Sequence, residues 1–331
     1  MKKASHTRSE KANCLPCFPE RKIIMANLAF LFSGQGSQYP GMGKELYQQF
    51  PQVRQIYEQA SDVFGFDVAA TSFEGDEATL AQTIVSQPVI FTHSLAAFTV
   101  VSSELCAPWC VAGHSLGEYA AMTAAGVFSR EDGFQVIKAR AKAMQQASEE
   151  SDGAMYAIIG SDDETIRKAC DAVEGYVTPV NYNSLVQTVI AGESPAAGAA
   201  AELLSQQGAR AVKLAVSCAF HSKLMSGAAQ QFREAVASVA FHTPAIPFYS
   251  NLDGKRCESI TPDYLAAHLT SPVQFVRELQ TMAADGADGF LEVGPNKVLS
   301  GLVKKTLKGM PCQNVEDLKT LEKAAAMLQK L

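Results

Sequence analysis

The chain has 331 residues and weighs 35.4 kDa, enough for one large domain or two ordinary ones. Hydrophobic residues make up 47% and charged residues 19%, with only 14 Pro and 23 Gly, which excludes disordered, collagen-like and repeat-like classes. With 28 Lys and Arg against 34 Asp and Glu the formal charge is −6, so nothing drives the whole protein toward nucleic acid or an anionic membrane, and positive charge has to act locally.

Residues 1–24 are polar and read as an unstructured extension. Lys2, Lys3, Arg8, Lys11, Arg21 and Lys22 precede the apolar run 23–32, which imitates a signal peptide. Asn27 interrupts that run, and it passes into a Gly-rich turn instead of a small-residue cleavage site, so the expectation is a buried first strand, with Met25 a candidate start of the folded part. No run reaches the ~18 to 20 apolar residues of a membrane helix. Eight cysteines fall far below the density of a disulfide-stapled domain and read as free thiols. Cys14 and Cys17 form a C-x-x-C without a second pair at zinc spacing, and no metal is expected.

After the first strand, short apolar runs alternate with helical stretches, the rhythm of an α/β domain. Residues 44–60 read as a helix, and so do residues 88–105, opened by Pro88. Residues 109–112 form a short buried strand running into Gly113-His114-Ser115-Leu116-Gly117, and residues 118–125 continue as an Ala-rich helix. A capping box of Ser129 with Asp132 starts the next helix, whose apolar face is Phe134, Ile137, Ala141 and Met144. At the helical angle Arg140 stands about 40° from Met144, at the margin of that face. A guanidinium there calls for an anion, either an internal carboxylate or a substrate carboxylate held bidentately.

From residue 153 to 216 the order is strand, helix, strand, strand, helix, strand, the ferredoxin-like βαββαβ pattern. The α/β rhythm then resumes with a helix at 275–284, a strand at 290–293 and a last helix through Leu302. The expected organisation is therefore a discontinuous core, residues 25–152 and 217–331, interrupted by a subdomain at 153–216.

Gly113-His114-Ser115-Leu116-Gly117 fits G-x-S-x-G, in which a sharp strand-to-helix turn presents the serine hydroxyl at a helix N-terminus. There the Leu116 N–H can stabilise an oxyanion. A serine needs a base. His93 on its Ala-rich helix, and His242 and His268 among surface-type residues, read as structural, and His114, one residue from the nucleophile, points elsewhere. His221, where the insertion rejoins the core, remains the candidate base by elimination. Asp152, Asp162, Asp163, Asp171 and Glu193 lie between Ser115 and His221, but none sits at a convincing strand end, which favours a dyad whose histidine leans on an uncharged acceptor. Gly34-Gln35-Gly36-Ser37-Gln38 follows the first strand, and its Gln35 N–H is the candidate second oxyanion donor.

Seven motifs in order carry a family resemblance: Phe32-Ser33-Gly34-Gln35-Gly36-Ser37-Gln38, Gly113-His114-Ser115-Leu116-Gly117-Glu118-Tyr119, Arg140, Asn181-Tyr182-Asn183-Ser184, Ala219-Phe220-His221-Ser222, Ser271-Pro272-Val273-Gln274 and Glu292-Val293-Gly294-Pro295. Across about residues 28–302 the chain resembles the malonyl-CoA:acyl-carrier-protein transacylases and the acyltransferase domains of polyketide synthases. The resemblance implies an α/β-hydrolase-like core with a parallel sheet and an inserted ferredoxin-like subdomain. It implies ping-pong transfer of malonyl from malonyl-CoA to the phosphopantetheine thiol of an acyl carrier protein, with Ser115 as nucleophile, His221 as base, Gln35 and Leu116 as oxyanion donors and Arg140 on the malonyl carboxylate. Gln274 would offer the main-chain carbonyl that orients the histidine, Asn183 would line the pocket, and Phe220 would crowd a 2-methyl branch. No bound cofactor, no nucleic acid and no membrane are expected of such a protein, which would act as a cytoplasmic monomer in fatty-acid or polyketide synthesis. The alternative reading is an editing acyl hydrolase on the same fold. Ser33, where many members carry Pro, and the 1–24 extension depart from the family pattern.

Overall fold

The computed structural model describes residues 26–216 and 218–331. The expected N-terminal extension, the Cys14/Cys17 pair and Met25 lie outside the described residues.

Among the described residues, eight strands build two sheets. β1 (Leu28–Phe32), β2 (Cys110–Gly113), β7 (Gly289–Val293) and β8 (Cys312–Val315) form a parallel sheet in the order β2-β1-β7-β8. β3 (Gly153–Ile159), β4 (Val177–Ser184), β5 (Gln187–Glu193) and β6 (Arg210–Lys213) form an antiparallel sheet in the order β4-β5-β3-β6, the ferredoxin-like arrangement expected of the insertion.

β1 is buried at every position. Its side chains alternate between two cores, Phe30 and Phe32 facing the larger and Ala29 and Leu31 the smaller, because helices cover both faces of the sheet. Each fully buried ring of this kind contributes about 2–3 kcal/mol of transfer free energy. Parallel pairing sets Phe32 opposite both Gly113 and Val293, so the loops after β1, β2 and β7 leave the sheet at one edge. That edge carries the site.

Several boundaries differ from the sequence reading for local reasons. The stretch 44–60 is two helices, Lys44–Gln49 and Pro51–Phe64, because Phe50 is extended and Pro51 starts a new helix. Pro88 does not open its helix but lies inside Thr83–Glu104, in a segment buried all round. By length and composition that helix is apolar enough to cross a membrane, contrary to the expectation of no such segment, but 78% of its most hydrophobic window is buried in the protein core. The run 211–216 pairs only as far as Lys213, so His221 lies in the loop beyond the strand. The helices Ser226–Ala235, Pro262–Thr270 and Leu318–Leu328 and strand β8 were not anticipated.

The insertion joins the core through the segment Ser271-Pro272-Val273-Gln274. Val273 N–H donates to Val180 O at 2.8 Å and Tyr182 N–H donates to Val273 O at 2.9 Å, extending β4 by one bridge from the core.

Candidate active site

Ser115 sits between β2 and the helix Leu116–Ala124, at φ 51 and ψ −108. A positive φ at a non-glycine costs about 1–3 kcal/mol and persists only where its surroundings fix it. Packing against β1 does so. A Cβ on Gly117 would collide with the Phe32 carbonyl, and one on Gly113 with the backbone of Gly117, so both glycines of the motif permit backbone contact.

The Ser115 hydroxyl lies 2.6 Å from His221 Nε2. His221 Nδ1 lies 3.0 Å from the main-chain carbonyl of His268. A carbonyl only accepts, so Nδ1 carries the hydrogen and Nε2 is free to take the serine proton. Burial first, then the neighbouring His268 and the Arg140 charge, push the His221 pKa well below its ordinary value, which keeps the imidazole neutral near pH 7 with Nε2 unprotonated. The His268 carbonyl belongs to the last turn of Pro262–Thr270, where carbonyls lack intrahelical partners and the helix end is negative. A negative helix end at this point favours a positive charge on the imidazole.

Two expectations are corrected here. The carbonyl behind His221 is that of His268, not Gln274. Gln274 instead caps the helix Phe275–Ala284, its own carbonyl accepting from Glu278 N–H at 3.0 Å and its N–H donating to Asn251 O at 2.8 Å. His268 is not a surface residue but fully buried, with Nε2 3.1 Å from Glu118 Oε2 and Nδ1 3.1 Å from the Tyr119 hydroxyl. No acid of the insertion touches His221: Asp162 caps Asp163–Asp171, Asp163 accepts from Thr188, Asp152 from Ser194 and Glu193 from Tyr176 N–H.

Arg140, on the helix Arg130–Glu150, is 1% exposed. Its Nη2 donates to Ser115 Oγ at 3.3 Å, its Cζ lies 4.9 Å from the Tyr119 ring centroid, and its Nε has no hydrogen-bond partner. Among the described residues no carboxylate pairs with it. The internal-carboxylate alternative therefore fails, and a buried guanidinium is left facing the serine.

Gln35 stands in the turn after β1, where Gly34 packs so closely on the elbow that a Cβ would meet the His114 backbone and ring. Leu116 N–H starts its helix beside Ser115, and the turn's own bonds use Gly117 N–H and Glu118 N–H instead. His114 Nε2 donates to Asn183 Oδ1 at 2.7 Å, which places Asn183 across the seam between insertion and elbow. Burial pushes the His114 pKa down. Phe220 is 7% exposed and packed in the larger core immediately before His221.

Sequence reasoning missed the buried groups behind the elbow, chiefly Asn251, His268 and Glu278. Thr261-Pro262, followed by Leu265, His268 and Leu269 at helical spacing, was the signal for the helix that buries His268. Asn251 follows a short apolar run and carries no pattern of its own.

The acyl transferase domain model matches residues 29–329. The malonyl CoA-acyl carrier protein transacylase of Bacillus subtilis strain 168 is 37% identical over 312 residues, 92% of this chain and 98% of that protein. That of Escherichia coli K12 is 41% identical over 288 residues, 85% and 93% respectively. The malonyl-CoA:acyl carrier protein transacylase of Xanthomonas oryzae superposes with a TM-score of 0.87 at 37% identity, covering 91% of this chain and 98% of that one. A malonyl-transacylase solved with its holo type II polyketide acyl-carrier protein also gives 0.87 at 37% identity, over 91% and 99%. With a matching model over most of its length and relatives covered almost end to end, the chain belongs to the acyl transferase domain family.

Proposed function

We propose that the protein transfers malonyl from malonyl-CoA to the phosphopantetheine thiol of an acyl carrier protein, in two steps through a malonyl-serine ester. The observation that carries this reading is Arg140, a buried guanidinium that meets no carboxylate among the described residues, beside the Ser115–His221 couple. An acyl group ending in a carboxylate supplies the missing charge. Relatives with 98% and 93% of their length covered carry the malonyl transacylase name, and one structural neighbour is complexed with an acyl-carrier protein.

In the first step Ser115 Oγ attacks the thioester carbonyl while His221 Nε2 takes its proton. The Gln35 and Leu116 N–H groups receive the oxyanion, beside the positive end of the helix Leu116–Ala124. The tetrahedral species collapses as the C–S bond breaks, and His221 returns the proton to the coenzyme A sulfur. The carrier thiol, deprotonated by His221, then attacks the serine ester, and Ser115 leaves with the proton restored. Arg140 holds the distal carboxylate in both halves, which fixes the carbonyl near Ser115. An editing hydrolase of neutral acyl groups would leave that guanidinium unpaired.

Mixing the protein with malonyl-CoA and reading the intact mass tests the proposal. The expected result is one malonyl adduct, absent in Ser115→Ala and discharged by a holo acyl carrier protein. An adduct that survives in Ser115→Ala, or rapid release of free malonate without carrier, would overturn it.

A further inference from the structure

Behind the elbow the hydrogen bonds close into a ring. The Ser115 hydroxyl donates to His221 Nε2 at 2.6 Å, and His221 Nδ1–H donates to the His268 carbonyl at 3.0 Å. His268 Nε2–H donates to Asn251 Oδ1 at 3.2 Å, and the same oxygen accepts Ser115 N–H at 2.8 Å. The ring starts and ends on Ser115.

The orientation of the Asn251 amide follows from its partners. Nδ2 donates to Gly113 O at 2.6 Å and to Glu278 Oε1 at 2.9 Å, while Oδ1 faces two N–H donors. All four hydrogen-bonding positions of the amide are filled, and flipping it would set donor against donor and acceptor against acceptor. The side chain thus grips the chain on both sides of His114, at Gly113 O and Ser115 N–H.

His268 is fixed as firmly. Its Nε2 faces only acceptors, Asn251 Oδ1 and Glu118 Oε2, so it carries the hydrogen, and Nδ1 accepts from the Tyr119 hydroxyl. Asn251 N–H also donates to Glu118 Oε2 at 3.2 Å, and Tyr264 donates to Glu118 Oε1. Asn251, His268, Glu118 and Glu278 are all fully buried, so each bond is made without competition from water. Of the three non-glycine residues at positive φ among the described residues, two are Ser115 and His221. Two strained residues that must stay 2.6 Å apart need external bracing.

We propose that Asn251 and the His268 imidazole are positioning residues that hold Ser115 and His221 at bonding distance by closing this ring. Neither touches the acyl group. Ser115 is fixed through its N–H and His221 through the carbonyl of the residue whose ring Asn251 anchors, so nucleophile and base share one frame. The inference rests on the acyl-transfer reading for its reaction but not for its test.

The test measures how fast an uncharged fluorophosphonate labels Ser115, which needs the serine–histidine couple but not Arg140, together with malonyl loading and melting temperature. Asn251→Ala and His268→Leu should each slow labelling about 100-fold while the KM for malonyl-CoA moves less than about threefold. His268→Gln, whose amide N–H can reach the same two oxygens, should stay within about fivefold of wild type. The double variant Asn251→Ala/His268→Leu should be no more than about threefold slower than the worse single, since a ring opens only once. Labelling within threefold of wild type in folded single variants, or multiplicative effects in the double, overturns the proposal. Should Asn251→Ala fail to fold, the His268→Leu and His268→Gln pair decides alone. Failure of malonyl loading in wild type with labelling intact would instead count against the acyl-transfer reading and leave the ring standing.

Discussion

The Arg140 guanidinium stands 3.3 Å from the Ser115 hydroxyl, and no carboxylate among the described residues meets it. A buried charge left without its partner costs about 3 kcal/mol or more, which is about 10²-fold in rate or affinity. Arg140→Ala should therefore slow malonyl loading about 100-fold while acetyl loading falls much less or rises. Parallel loading of malonyl-CoA and acetyl-CoA, read by intact mass, checks this. An unchanged malonyl-to-acetyl ratio would remove Arg140 from substrate selection.

The same arginine has a second, electrical effect on the base. His221 must be neutral to take the serine proton, so activity is lost as pH falls through its pKa, which burial, then the neighbouring His268 and the Arg140 charge, hold well below 6.5. Deleting the Arg140 charge makes the imidazolium less unfavourable, and the His221 pKa rises. The acid limb of Ser115 acylation by an uncharged activated ester should move to higher pH in Arg140→Ala, only partway to 6.5 because burial remains. A limb that stays in place or moves down would contradict the electrostatic assignment.

How far the sequence revealed this site depended on whether a residue was placed by local chain geometry or by tertiary contact. Ser115 was legible because strand, glycine turn and helix are consecutive in the chain, and Gly113 and Gly117 permit close approaches that the structure contains. His221 was reached only by elimination, since its loop lies beyond β6 and has no period. Arg140 was placed at the margin of a helix face, but its full burial depends on helices packed from elsewhere in the chain. The Gln274 assignment failed because the carbonyl that meets His221 is exposed by the end of the helix Pro262–Thr270, six residues earlier, and that helix had gone unread. Asn251 was illegible since its four partners come from Gly113, Ser115, His268 and Glu278.

Gly117 tests the packing beneath the elbow. Any side chain there would drive a Cβ into the Phe32 carbonyl at the end of β1, a backbone atom that cannot rotate away. Gly117→Ala should destabilise the protein by about 1–3 kcal/mol through overpacking and lower its melting temperature by several degrees. It should also reduce serine labelling, because the displaced strand carries Gly34 against the elbow. A melting temperature within a degree of wild type would show that β1 yields more easily than this contact implies.

Phe220, expected from the family resemblance to crowd a 2-methyl branch, offers a test of side-chain size. It directly precedes His221, is 7% exposed and packs into the larger core, so neighbouring side chains surround its ring. Phe220→Ser removes most of that volume and leaves space beside the base, at a stability cost of about 3–5 kcal/mol by analogy with a Phe truncation in a core. If Phe220 limits the acyl pocket, the variant should load methylmalonyl at an increased rate relative to malonyl, because a 2-methyl branch fills the vacated volume. Competition between the two thioesters, read as the ratio of adduct masses on protein shown to be folded, separates this selectivity effect from loss of stability, which lowers both adducts together. A ratio equal to that of wild type would assign Phe220 to the core alone.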